Sequence, residues 1–167
     1  VYPGVLPKNK SIKGFVQQVD IFPTLMDILG MRNPSAVEGE SLLPLIRGEK
    51  DHIRDYMICN QGLWQASRAI RLGEWKFIDI LERGFWGPDS GYELYNLSKD
   101  PKEENNLIEE EPEITGRLQV RLDRWVHEQI AKRADRMDPL RIALRRPSSP
   151  LAHYNVQWVP RGLSPTE

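Results

Sequence analysis

The chain has 167 residues, enough for one domain or a domain with an appendage. Its 23 Lys and Arg against 24 Asp and Glu exclude a whole-chain field as the basis for binding nucleic acid or an anionic membrane. A hydrophobic share of 40% with five Trp suffices for a core, while the single cysteine, Cys59, excludes an internal disulfide framework and a multi-cysteine metal site.

No apolar run approaches the ~20 residues of a membrane-spanning helix, and no signal-peptide pattern opens the chain. The start, VYPGVLPKNK, has no initiator Met and reads as a strand end and loop entered in mid-pattern, which predicts a piece of a longer protein. A helix is predicted from about Asp20 to Leu29. Asp20 is its expected N-cap, Pro23 falls where no intrahelical N–H bond is needed, and Gly30 is its left-handed stop. Phe22, Leu25, Met26 and Leu29 share one face, yet Ile21 and Ile28 lie outside it and Asp27 is the main polar interruption. A helix apolar on nearly every side wants cover from several directions. After a loop, SLLPLIRGEK predicts a helical turn capped by Ser41 with Pro44 at its third position.

The character then changes. RDYMICN, SRAIRLG, EWKFIDI and YELYNLS are short β-branched and aromatic runs divided by turn residues, among them Leu72-Gly73-Glu74 and Gly87-Pro88-Asp89-Ser90-Gly91. They predict an antiparallel meander of about four strands, closed by a polar turn begun at Asp100-Pro101. A long helix follows from about Pro112 to Arg133, with Ile114, Leu118, Leu122, Trp125 and Val126 on one face. Glu109, Glu110, Glu111 and Glu113 sit at the positive end of its dipole, and Lys132 and Arg133 at the other. From Asp135 the chain is Pro-rich and poorly periodic. The organisation expected is therefore α+β, a four-stranded sheet covered by the long helix. Residues 1–50 would be the end of a preceding domain, 51–134 a small α+β subdomain and 135–167 an extended tail.

Four stretches together carry a family likeness: YPGVLPKNKSIKGFVQQVDIFPTLMDILG, EGESLLPLIRGE, SRAIRLGEWKFI and YELYNLSKDPKEENNL. In this order and spacing, over Tyr2 to Leu107 and on into RLDRWVHEQI, they resemble the C-terminal third of sulfatases of the alkaline-phosphatase-like superfamily. The resemblance implies that the Asp20–Gly30 helix belongs to a large α/β catalytic domain, the missing N-terminal partner that would cover it. It implies a parent that hydrolyses the sulfate ester of a small molecule or glycan, using formylglycine and a divalent cation, usually calcium. Hard oxygen ligands suit such a cation, and cationic side chains suit the transferring group.

The corresponding motifs are absent here. Cys59 is followed by Asn60-Gln61-Gly62-Leu63, without the Pro and Arg of a Cys-x-Pro-Ser-Arg type motif. Ser148-Ser149-Pro150 has Ala152 where Arg is needed. No catalytic residue, metal ligand or cofactor is assigned to this chain. His52, His127 and His153 share no ligand spacing, and Asp20 and Asp27, seven apart on one helix, read as a cap and an interruption rather than ligands. The candidate substrate-binding residues are Trp64 and Arg68 in NQGLWQASRAIR, a stacking face and a bidentate fork for sulfate or carboxylate. The alternative places Trp64 in the core and leaves Arg68 and Arg71 as solvated strand residues. The cations of KRADRMDPLRIALRR suit an acidic polysaccharide, a neighbouring subunit in a homo-oligomer, or plain solvent. Three functions stay open: part of a sulfatase, part of a phosphonate or phosphate monoester hydrolase of the same superfamily, or a non-catalytic module binding a glycan or protein.

Overall fold

The computed structural model describes residues 11–62, 65–82 and 91–141. Trp64, most of the Gly87–Gly91 turn and the tail from residue 142, with Ser148, Ser149 and His153, lie outside the described residues. The chain divides into two compact units, Val1–Met57 and Ile58–Glu167.

In the first unit, α1 (Ile21–Ile28) and α2 (Leu43–Arg47) pack together. Pro23 is the third residue of α1, as expected, and Gly30 takes φ 67° just beyond it. The Met31 N–H bonds the Met26 carbonyl at 2.9 Å and the Gly30 N–H bonds that of Asp27 at 3.1 Å. This double closure satisfies carbonyls left over at the helix end. Ser41 is not the cap expected of it: the residue before α2 is Leu42, which has no side-chain cap bond, and Pro44 is the second residue of the helix, while Ser41 Oγ accepts the Leu43 N–H at 3.2 Å one residue further back.

Asp20 differs from expectation. Its carboxylate does not cap α1, because Gln18–Asp20 form a short 3-10 turn and give Asp20 helical backbone angles. An N-cap needs an extended backbone to aim its side chain at the helix that follows. The carboxylate instead reaches back to the Gln17 N–H at 2.7 Å and across to the Glu40 N–H at 3.0 Å. It also accepts from Arg54 Nη2, while Arg54 Nη1 donates to Gln17 Oε1. Thr24 Oγ1 donates to the Asp20 carbonyl and accepts the Leu42 N–H at 2.9 Å, tying α1 to the start of α2.

The second unit is built on a four-stranded sheet in the order β1 (Tyr56–Gln61), β2 (Ala66–Leu72), β3 (Trp75–Glu82) and β4 (Gly91–Asn96). β2–β3 and β3–β4 are antiparallel, with Ile70 opposite Phe77 and Phe77 opposite Leu94. Those three side chains are wholly buried. The long helix α3 (Pro112–Ala131) packs on β2 and β3 and buries Leu118 and Leu122, one helical turn apart. Each such leucine contributes about 1.5–3 kcal/mol. The observed helix ends two residues before Arg133, a normal fraying margin. Beyond β4, Asn106 accepts the Leu94 N–H at 2.9 Å and Leu107 N–H bonds the Leu94 carbonyl at 2.8 Å, so residues 106–107 cover that strand's outer edge. The four-stranded sheet and its covering helix are those expected from the sequence.

Gly39 stands where the loop before α2 crosses the chain entering α1. A Cβ there would lie 2.1 Å from the Val19 carbonyl oxygen and 2.5 Å from its carbon. Backbone cannot yield as a side-chain tip does, and overpacking costs about 1–3 kcal/mol or more. Gly39→Ala is therefore expected to destabilise the first unit by at least that amount in urea denaturation, whereas Gly116→Ala, which meets open space on α3, should stabilise by up to about 1 kcal/mol.

Candidate functional site

Strand β2 places Arg68 on the same side of the sheet as Ile70, two residues along. That side faces α3, and Arg68 is only 5% exposed. Burying a guanidinium is tolerated only where its charge and N–H groups are matched. Nη1 donates to Asp138 Oδ2 at 2.9 Å, Nη2 donates to Asp138 Oδ1, and Nε donates to Asn60 Oδ1 at 2.9 Å. The fork expected to meet sulfate or carboxylate thus holds a carboxylate of its own chain. Asp138 in turn accepts the Leu140 N–H at 3.0 Å, and Arg141 approaches it to 3.8 Å.

These residues lie at a cleft of about 280 Å³. It is lined by the polar side chains of Asn60, Arg68 and Asp138, by Trp125, Val126 and Ile130 of α3, and by Pro139 and Leu140. Burial works to raise the Asp138 carboxyl, but the hydrogen bonds and charge of Arg68 outweigh it and hold the group below the usual carboxylate range. Asp79, opposite Arg68 on β3, is raised, first by burial and then by the charge of Asp123. Asp138, Asn60 and Asp79 were not singled out in the sequence. Asp138 reads as part of a tail, but the burial of Arg68 was available from its parity with Ile70.

The other candidates do not converge. Cys59 is exposed on β1. His52 Nε2 lies 3.5 Å from the Asp55 carboxylate with both side chains exposed, and His127 Nδ1 lies 2.7 Å from the Asp123 carbonyl within α3. Asp20 is buried in its hydrogen bonds while Asp27 points to solvent. Among the described residues no group of three or more His, Cys, Asp or Glu is placed to hold a metal ion. The donor set here does not fit the cation that sulfatases use.

The largest apolar anomaly is on α1. Its buried positions are Pro23 and Thr24, with Asp20 before them. Phe22, Leu25 and Leu29 are 49%, 52% and 66% exposed, and Val16, Val19, Ile21 and Met31 are also exposed. A cluster of this kind marks an interaction surface.

Residues 1–131 match the family described as N-sulphoglucosamine sulphohydrolase, C-terminal. The chain is similar to arylsulfatase K of Mus musculus, 32% identical over 132 residues covering 72% of this chain and 23% of that protein. It is 30% identical to the N-acetylgalactosamine-6-O-sulfatase of Bacteroides thetaiotaomicron over 132 residues, 73% of this chain and 25% of that enzyme. A crystal structure assigned as a sulfatase from the same bacterium superposes with a TM-score of 0.54 at 29% identity, over 64% of this chain and 24% of that one. The chain belongs to the sulfatase family, in its N-sulphoglucosamine sulphohydrolase C-terminal group. It spans about a quarter of the length of these curated relatives.

The exposed face of α1 makes a solution test direct. The chain is expected to bind a hydrophobic dye and to self-associate with rising concentration, as light scattering would report. Leu25→Glu with Leu29→Glu should cut dye binding severalfold while shifting stability by no more than about 0.5 kcal/mol each, since both sites are solvated.

Proposed function

We propose that this chain is the C-terminal part of a sulfatase whose whole protein hydrolyses sulfate esters of a glycan or small molecule. The observation that carries the reading is the family match over residues 1–131 in a chain that has no formylglycine motif. In this reading the α1 face docks on the catalytic domain. Formylglycine and a divalent cation would be supplied by residues of that domain. The role of the sheet and α3 is to complete the fold and shape the cleft around the substrate. The test is the gene upstream of the Val1 codon. A Cys-x-Pro-Ser-Arg or Ser-x-Pro-Ser-Arg motif is expected there, and a start codon directly before Val1 would overturn the reading.

The purified chain alone is expected to give no turnover of an aryl sulfate or an aryl phosphate, with or without calcium. Attack on such esters needs an activated nucleophile and stabilisation of developing charge, and loss of a catalytic unit costs several orders of magnitude in rate. Calcium-dependent turnover abolished by Cys59→Ala would place the site in this chain.

The segment from Gln61 to Arg68 is proposed to reach the rim of the parent's active-site cleft. Trp64 would offer a stacking face. Arg68 would act with it as a substrate-binding residue, or through the Asn60 and Asp138 side chains that it holds. In the full-length enzyme, Trp64→Ala and Arg68→Ala should change relative kcat/KM among sulfated substrates by roughly tenfold, the scale of one lost pocket contact. Equal losses on every substrate, tracking a fall in Tm, would return both residues to a purely structural role.

A further inference from the structure

Residues 132–141, which follow α3, form a strap along the cleft, and one side chain fastens it. Pro139 and Leu140 line the cleft, while Asp138 supplies both oxygens to Arg68 and accepts the Leu140 N–H. Further out, Asp135 accepts from Arg133 and from the Met137 N–H, so the strap's tip is organised by its own side chains. Arg68 also has a second carboxylate beside it. Asp79 is its Cα partner across the β2–β3 ladder and lies on the same face of the sheet. Among the described residues no hydrogen bond is made to the Asp79 carboxylate.

We propose that Arg68 has two seats: it holds Asp138 when the strap is closed, and turns to Asp79 when the strap lifts from the cleft. A buried guanidinium left without a counter-ion is strongly disfavoured. Opening by simple rupture would leave Arg68 without a bonded carboxylate at the newly opened cleft. Exchange between two carboxylates keeps the charge compensated at both ends of the motion. The lifted strap would uncover Trp125, Val126 and Ile130 of α3.

The charged and polar groups around Arg68 come from every neighbouring element: Asn60 on β1, Asp79 on β3, Asp123 on α3, and Asp138 and Arg141 on the strap. Tyr92 on β4 stands opposite Asp79. The signs of their titration are definite. Asp138 is held low, so its closing contribution is present above the ordinary carboxylate range and is lost as pH falls through its folded pKa. Asp79 is raised, so on acidification it takes its proton first and withdraws the competing seat. The strap is tightest between those two titrations and loosens as Asp79 ionises.

Limited trypsin digestion of the full chain at neutral pH, read by mass spectrometry, tests the exchange. Cleavage after Arg136 and Arg141 reports the strap, and cleavage after Arg121 and Arg124 within α3 reports global unfolding. Asp138→Asn is expected to speed strap cleavage at least tenfold with Arg121 and Arg124 still protected. Asp79→Asn should slow strap cleavage severalfold relative to the unmodified chain. In Asp138→Asn, the carboxyl carbon signal of Asp79 should titrate at lower pH than in the unmodified chain, because Arg68 now serves it. Strap cleavage unchanged or faster in Asp79→Asn would overturn the proposal. So would an Asp79 titration indifferent to Asp138→Asn, or equal acceleration at the α3 sites in Asp138→Asn.

Discussion

A carboxylate with no access to water must find its hydrogen bonds inside the protein, and Asp20 meets that demand in a way that ties together the segments around α1 and α2. It is 0% exposed, and its two oxygens take the backbone N–H groups of Gln17 and Glu40 together with the Arg54 guanidinium. Those three partners come from the segment before α1, the loop before α2 and the segment after it. The close crossing of Gly39 over Val19 is the steric counterpart of the same arrangement, since it brings Glu40 within reach. Removing one partner of a buried pair costs about 3–5 kcal/mol, well above the net worth of an exposed ion pair. This polar geometry works beside the buried Leu43 and Leu45 of α2, while the apolar side chains of α1 are turned outward.

The second unit repeats the device in different surroundings. Arg68 and Asp138 are 70 residues apart in sequence and form the two-pronged contact that pins the chain after α3 onto β2. Here the apolar work is done separately, by Ile70, Phe77 and Leu94 on the sheet and Leu118 and Leu122 on the helix. The polar cluster sits beyond that layer, at the cleft. Two buried arginine–aspartate pairs thus close two units, and each selects a single path for chain that local propensity leaves undecided.

The family relation gives the outward face of α1 its meaning. A helix of this composition is a poor choice for a solvent surface, and the sulfatase relatives are about four times as long as the stretch that matches. The reading in which a catalytic domain lies over that face accounts for both. It also accounts for a sheet and long helix that, among the described residues, bring no three or more His, Cys, Asp or Glu together as a metal site.

Periodicity and turn chemistry in the sequence were enough to establish α1, the four strands, the hairpin at Gly73 and α3, because each depends on residues within a few positions of one another. Family membership was readable for the same reason, being carried by contiguous stretches. The outward apolar face was implied by a helix with more apolar sides than its neighbours in the chain cover. What needed the tertiary structure was the destination of the charged side chains. Asp20 reads locally as a cap, and only the 3-10 turn and the arrival of Glu40 and Arg54 make it a hub. Arg68 reads as a free fork until residues 70 positions away fold back to fill it. Local pattern records which way a residue faces; which distant group meets it there depends on how the intervening chain closes, and no local pattern contains that.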